Sequence, residues 1–424
     1  MIKKLYSIFL KHPEVCIDTR TITSGCLFFA LRGPNFNANK FAIKALENGA
    51  AFAIVDEAKY VLDERYILVE NVLKSLQELS TYHRRQLTCP IIAITGTNGK
   101  TTSKELLYRV LAEKYKTAAT KGNLNNHIGV PLSLLSIDLE TEYAIIEMGA
   151  NHEGEIGFLC SIAEPNVGVI TNIGKAHLEG FGSLEGVLRA KTELYKYIEE
   201  NNGVLFTKDN QQNLIELLPV NNSTYTYGQL KNSNYKVKFE DAQPFVVVST
   251  DTIEIKSKLI GEYNFDNIAL SIALGKYCGV KLDSIKSAIE TYSPTNNRSQ
   301  LINTDFNTIL LDAYNANPMS VEKAIYNMVN IDHMHKVLIL GDMFELGVDS
   351  QKEHINIINN CLGAGFKEVY LVGEAYKEAN RTEYMCFTTT NQLFTHLQDN
   401  LIKGAFILIK GSRGMKLEQL VKVL

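Results

Sequence analysis

Residues 91–95, Ile-Ile-Ala-Ile-Thr, form a continuous apolar run that passes directly into Gly96-Thr97-Asn98-Gly99-Lys100-Thr101-Thr102 and then into the helical pattern TTSKELLYRVLAEKY. A run without polar alternation suits a strand buried on both faces, and such strands belong to parallel sheets covered by helices on each side. The chain is thereby committed to an α/β architecture. The Gly-rich turn brings backbone N–H groups and a helix N-terminus around phosphate oxygens. It is a shortened G-x-x-G-K-T form of the Walker pattern, because Ile94 stands where the full pattern has its first glycine. Lys100 suits the terminal phosphates of ATP and the Thr101 hydroxyl a magnesium ion. Gly96, Thr97, Asn98, Gly99 and Thr102 complete the cradle.

Strand and helix patterns recur along all 424 residues, a length that suits two or three domains. The first 88 residues carry apolar runs at 27–31, 51–55 and 66–70 with helical spacing between and after them, which reads as a small α/β domain. A break at Thr88-Cys89-Pro90 precedes the phosphate loop, and further strands are expected at 143–148, 167–171 and 203–207. The stretch 225–260 alternates as antiparallel additions would, and the Asn/Gln-rich patches 201–213 and 221–233 read as loop edges. After the turn-rich segment SPTNNRS (293–299), strands at 308–312, 337–341, 369–373 and 406–411 alternate with helices as in a doubly wound unit. The expectation is an α/β fold of three domains. These are a small N-terminal α/β domain over 1–88, a central P-loop ATPase-like parallel-sheet domain over 89–297 and a C-terminal Rossmann-like domain over 298–424.

With 43 Lys plus Arg against 47 Asp plus Glu, the formal net charge is -4. No block of like charge runs on, so nucleic acid is not an expected partner and a small molecule is. Seven cysteines, none spaced C-x-x-C, suggest neither a disulfide framework nor a zinc knuckle. The N-terminal string MIKKLYSIFLK is too short for a signal core, and no apolar run of 18 residues occurs. A cytoplasmic protein without membrane insertion is expected. A nearly neutral chain that holds phosphates must gather its positive charge locally, in loops or through a metal.

Three further residues bear on that charge. Glu147 closes the strand YAIIE at the carboxyl end, where ligands of parallel sheets collect; it suits a magnesium ion or, equally, a cap or a salt bridge. His177 follows the strand VGVIT and could face the same crevice or only solvent. Lys191 lies on a helix whose apolar positions leave it open between an inward and a surface lysine, and an ammonium beside magnesium would be repelled. A carbamate formed there with CO2 would invert its sign and make it an acidic ligand.

Taken together and in order, the strings IDTRTITSGCLFFALRGPNFNANKF, GTNGKTTSKE, KGNLNNHIGVPLSLL, IIEMGANHEGEI, TNIGKAHLEGFGSLEGVLRAKTELY, LDAYNANPMSV, LGDMFELG and KGSRGMKLE resemble the ATP-dependent Mur ligases of peptidoglycan synthesis. The resemblance runs the length of the chain and is nearest to members that add D-alanyl-D-alanine to UDP-N-acetylmuramoyl-tripeptide. It implies that Lys191 is the family's carbamylated lysine and that Thr101, Glu147, His177 and Lys191 hold magnesium, two ions in all, with Lys100, Lys191 and His177 as the catalytic set. Asn264 and Asn267 would meet adenine, although Tyr263 stands where the family has histidine. Arg298 would reach the nucleotide phosphates from the hinge near 293–299, and Asp312 would contact the nucleotide from a strand end. The resemblance assigns the UDP-sugar to the first domain, with Asp18, Thr19, Arg20 and the loop from Gly33 to Asn39 as candidates. It assigns the dipeptide to the third, with Tyr314, Asn315, Asn317, Ser412 and Arg413. Each group is also open to a plain structural role, since Asn-x-Asn-Pro is an ordinary turn string.

The chemistry implied is carboxylate activation by ATP to an acyl phosphate, followed by attack of the amine, in a monomer that closes on its substrates. The alternatives carried are another Mur-type amino-acid ligase, a folylpolyglutamate synthase, and an ATP-dependent switch that ligates nothing.

Overall fold

The computed structural model describes residues 1–219, 223–251 and 253–424; positions 221 and 222 of the second Asn/Gln-rich patch lie outside them. Three sheets in chain order organise it. In the first, Val15–Cys16, Leu27–Phe29, Phe52–Val55 and Tyr66–Leu68 pair in parallel in that order. Period-two alternation divides its faces. Leu27 and Phe29 pack under helices Ile2–Phe9 and Val72–Arg84, while Phe28 packs under Ala42–Glu47. Leu135, from helix Gly129–Leu135 of the central unit, enters the same core and docks the two units together.

The central sheet has seven parallel strands in the order Tyr235–Lys236, Ser223–Gly228, Val204–Lys208, Val167–Ile170, Ile91–Thr95, Tyr143–Glu147, Thr117–Ala119. Ile92 and Ile94 face helices Lys100–Ala112 and Phe265–Tyr277, whereas Ile91 and Ala93 face Glu155–Ala163 and Leu184–Glu200. Double-sided burial is what the unbroken apolar run required. From Ile91–Thr95 the chain first builds toward one edge and then returns to build the other, so the phosphate loop sits where strand order reverses.

The antiparallel expectation for 225–260 is half corrected. Ser223–Gly228 and Tyr235–Lys236 extend the parallel sheet, and only Lys238–Asp241, Phe245–Thr250 and Ile253–Ile260 form a separate antiparallel sheet. Tyr225 and Tyr235 stack on Phe206 at the sheet edge, which gives that segment its alternating look without reversing it. The strand Ile253–Ile260 serves two cores: Ile255 and Leu259 lie in the central one, Ile260 in the C-terminal one beside Phe245.

The C-terminal sheet runs Gln300–Asn303, Thr308–Asp312, Phe406–Lys410, Lys336–Gly341, Glu368–Val372, Met385–Phe387, parallel except for its first strand. All seven cysteines are free. Among the described residues no helix is long and apolar enough to cross a membrane.

Candidate active site

The carboxyl ends of the central and C-terminal sheets face each other across a cleft of about 420 Å³. The strand Ile91–Thr95 is wholly buried and delivers the loop to the cleft; Gly99, at φ +81°, turns it into helix Lys100–Ala112. Gly96 has φ +136°, and a Cβ there would overlap the Thr171 hydroxyl and stand 2.9 Å from the Thr171 amide nitrogen. A Gly96→Ala protein is therefore expected to lose about 1–3 kcal/mol from backbone strain alone, read as a lower urea midpoint, with ATP turnover lost in parallel.

The segment 171–174 braces the loop from behind. Thr97 N–H donates to the Asn172 carbonyl at 2.9 Å, and the Thr171 hydroxyl and the Asn172 amide both donate to the Asn98 carbonyl, at 2.6 and 3.0 Å. Lys100 Nζ donates to the carbonyls of Gly96 and Thr97 at 2.7 and 3.0 Å. Burial pushes its pKa down to about 8; Glu147 works against that shift and Arg298 adds to it. Thr102 also lines the cleft.

The Thr101 hydroxyl donates to Glu147 Oε2 at 2.8 Å, and Asn125 Nδ2 donates to Glu147 Oε1 at 2.8 Å. Glu147 is 1% exposed. Hydroxyl and carboxylate together, beside a phosphate loop, are hard oxygen donors of the kind magnesium takes, one or two from protein and the rest from phosphates and water. No cluster of three or more His, Cys, Asp and Glu that could hold a metal ion occurs among the described residues. His177 lines the same cleft in a left-handed conformation, φ +52°, but its Nδ1 contacts the carboxylate of Glu345 from the C-terminal unit. That pairing holds the Glu345 carboxyl below the usual range.

Lys191 is inward: it is 2% exposed, Nζ donates to the Ala150 carbonyl at 3.3 Å and stands 5.2 Å from the centre of the Phe181 ring. Burial first, and the charge of Lys100 second, bring its pKa down to about 7, against the pull of Glu155 and Glu193. A buried amine that is half neutral near pH 7 is chemically competent to take up CO2, which adds only to the unprotonated form.

Asn264 and Asn267 line the cleft with their amides already engaged. Asn264 Nδ2 donates to the Ile260 carbonyl, Asn267 Nδ2 to Asn264 Oδ1, and the Ser103 hydroxyl to Asn267 Oδ1. They brace the phosphate loop, since a Cβ on Gly99 would overlap Asn267 Oδ1. Tyr263 donates to or accepts from the Ser299 hydroxyl at 2.9 Å, in place of any contact a histidine would make. Asp312 reaches the cleft with both oxygens engaged, by Ser299 N–H at 3.2 Å and Lys410 Nζ at 2.6 Å. An ion pair therefore anchors Asp312 at the hinge, on the wall of the cleft where the resemblance expects a nucleotide contact. Arg298 stacks on the Tyr314 ring at 3.6 Å, and Arg413 approaches the same ring at 4.9 Å.

Elsewhere the sequence expectations divide. Asn315 lines the cleft. Asn317 caps helix Pro318–Asn330, and the Ser412 hydroxyl accepts from Phe344 N–H, so both have structural duties. Asn39 is corrected from ligand group to clamp: it is 1% exposed, and its amide is consumed by Asp56 and Asn37. Asp18 and Arg20 pair with each other at 2.5 Å in an exposed turn, which holds the Asp18 carboxyl down to about 2. Asp18, Thr19 and Arg20 line neither this cleft nor a second cavity of about 690 Å³ between the first and central units, which Thr21, Thr23 and Lys121 line. Sequence reasoning did not select Asn125, Asn172, Glu345 or Lys410. All four sit in strings quoted above, but their roles show only through the partners the fold brings to them, Glu147 for Asn125, Asn98 for Asn172, His177 for Glu345 and Asp312 for Lys410.

The family model for the Mur ligase middle domain matches residues 94–275, and that for the Mur ligase glutamate ligase domain matches residues 297–413. The UDP-N-acetylmuramoyl-tripeptide–D-alanyl-D-alanine ligase of Bacillus subtilis is 33% identical over 426 residues, 96% of this chain and 92% of that protein. A solved MurF from Acinetobacter baumannii matches at 30% identity with a TM-score of 0.85, over 96% of this chain and 92% of the other. MurF ligase from Thermotoga maritima in complex with ADP matches at 25% identity with a TM-score of 0.84, over 97% and 96%. With two Mur ligase models matched over 94–275 and 297–413 and relatives one-third identical along nearly its whole length, this chain belongs to the Mur ligase family.

Proposed function

We propose that this protein is the ATP-dependent ligase that joins UDP-N-acetylmuramoyl-tripeptide to D-alanyl-D-alanine in peptidoglycan precursor synthesis, acting in the cytoplasm as a monomer. The observation that carries the reading is the single cleft into which one chain directs Lys100, Thr101, Glu147 and Arg298 together with Tyr314 and Asn315. Residues 1–88, 89–297 and 298–424 then serve the UDP-sugar, ATP and the dipeptide in turn, and the cavity beside Thr21 and Lys121 is the candidate seat for the first.

A carboxylate is a poor acyl donor because the group expelled would be oxide. The tripeptide carboxylate oxygen attacks the γ-phosphorus of ATP, ADP leaves, and an acyl phosphate remains. The dipeptide amine attacks the acyl carbon, loses a proton, and inorganic phosphate departs. Two anions meet in the first step, so Lys100 and Arg298 have to offset charge on the transferring group. Thr101, Glu147 and His177, with a carbamylated Lys191, would hold magnesium, which would supply the rest of that neutralisation. His177 can join this set only by releasing or sharing Glu345. Arg413, exposed beside Tyr314, is placed to pair with the dipeptide carboxylate in a bidentate way.

Phosphate release tests the reading. Release is expected only when ATP, the UDP-tripeptide and D-alanyl-D-alanine are all present; release with ATP alone would make the chain a nucleotide switch, and release with another amine a different ligase. Arg413→Ala is expected to raise KM for the dipeptide about 10- to 100-fold with KM for ATP unchanged, measured by initial rates.

A further inference from the structure

A reciprocal amide pair joins the phosphate loop to the C-terminal unit. Asn317 Nδ2 donates to Asn98 Oδ1 at 2.8 Å, and Asn98 Nδ2 donates to Asn317 Oδ1 at 3.4 Å. On the loop side the Asn98 backbone is already fixed. Its N–H donates to Asn172 Oδ1 at 3.0 Å, and its carbonyl accepts from Thr171 and Asn172. The Asn98 side chain is therefore rigidly connected to the strand end that also carries Gly99 and Lys100. On the other side Asn317 is nearly buried, at 5% exposed, and caps helix Pro318–Asn330 by accepting from Ser320 N–H at 2.9 Å. From that helix, Ser320 and Lys323 line the cleft.

A cap needs only an acceptor oxygen, and Ser, Asp and Asn serve about equally well as caps. What Asn adds is the donor that reaches Asn98. The surrounding seam is closely packed: the Met319 methyl lies 2.5 Å from where a Cβ on Gly174 would stand, and Lys175 pairs with Glu353 at 2.8 Å. Gly174 in turn exchanges hydrogen bonds with Thr97 at 3.2 and 3.0 Å, so this packing backs the loop, while the amide pair joins a loop side chain directly to the C-terminal unit.

We infer that the Asn98–Asn317 pair is a positioning contact for phosphoryl transfer, registering the phosphate loop against the C-terminal unit so that the loop takes its working position when that unit is docked. The catalytic part of the inference rests on the ligase reading above; the mechanical part does not. Three variants separate the roles: Asn98→Ala, Asn317→Ser, which keeps the cap oxygen, and the two combined.

The mechanical test is amide hydrogen exchange over residues 96–100 with no substrate present. Asn317→Ser is expected to speed exchange in that loop, with the melting temperature unchanged because the helix keeps its cap. Unchanged loop exchange overturns the inference whatever the protein's activity. The catalytic test is a double-mutant cycle on kcat. Each single change is expected to lower kcat about tenfold, and the double change to lower it no further than either alone, as for two groups in one contact. ADP affinity by calorimetry is expected to stay within about threefold, since the loop amides and Lys100 remain. Losses that multiply in the double variant, or ADP affinity that falls in step with kcat, overturn it. A native chain that releases no phosphate with both substrates defeats the ligase reading instead and leaves the exchange result standing.

Discussion

Lys100→Ala is expected to lower phosphate release in the presence of both substrates by about 100- to 1000-fold, the usual cost of one lost donor to developing charge, while the protein keeps its fold. The ammonium lies against the carbonyls of Gly96 and Thr97, at the end of a buried strand and within the field of Arg298. Removing it deletes a half-buried, partly desolvated charge and no core contact, so the urea midpoint should hold or rise. The pKa near 8 adds a second signature. Polyphosphate favours the charged amine, so ADP binding above pH about 8 should take up protons in the native chain and take up fewer in Lys100→Ala. Calorimetry in buffers of different ionisation enthalpy reads that difference. Near-native phosphate release by a folded Lys100→Ala protein would refute the assignment.

Lys191→Met should separate activity from stability. With a pKa brought down to about 7, about half the Lys191 amine is neutral at that pH, against fewer than about one in a thousand for an ordinary lysine. Such an amine can capture CO2 as a carbamate. Turnover in Lys191→Met is expected to fall about 100- to 1000-fold, as for loss of a ligand to the magnesium that would offset charge on the transferring phosphate. The native protein is expected to show a carbamate carbonyl signal after equilibration with carbon-13 bicarbonate, and Lys191→Met to lack it. Stability should move the other way. The folded pKa is lowered, so between about pH 7 and the ordinary lysine range the unfolded chain holds more protons than the native one, and native stability rises with pH across that window. Met fills the site beside Phe181 and Ala150 without a charge to desolvate, so the variant should melt higher at pH 7 and show a shallower rise with pH. Full activity in Lys191→Met, or a native protein with no such carbonyl signal, would remove the carbamate from the mechanism.

How far these residues could be found in advance follows from how each one works. The strand Ile91–Thr95 announced itself because burial on both faces leaves no polar position, and Gly96 and Gly99 because the backbone they allow is unavailable to other residues. Glu147 was legible from its place at a strand end. Lys191 was open between surface and interior, because helical spacing does not say which neighbours cover a flank; Phe181 and Ala150 decide it. Asn39 and Asn317 were ligand candidates through the family resemblance, while their turn-rich strings left a plain structural role open; both amides make hydrogen bonds inside the protein. A matched motif cannot tell a side chain that meets a ligand from one that meets Asp56 or Asn98. Glu345, Lys410 and Glu353 act through partners from 98 to 178 positions away, and no local pattern carries that information. The edge at Ser223–Gly228 was misjudged because tyrosines stacking on Phe206 imitate alternation.

The strand Ile253–Ile260 has an evolutionary consequence. It closes the central core with Ile255 and Leu259 and the C-terminal core with Ile260, so neither half is a free-standing cassette. The boundary between the two matched family regions, after residue 275 and before 297, therefore cuts through no shared sequence but through a shared hydrophobic partner. Exchange of C-terminal halves between relatives would succeed only where residue 260 and its neighbour Phe245 are traded along with the half they seal.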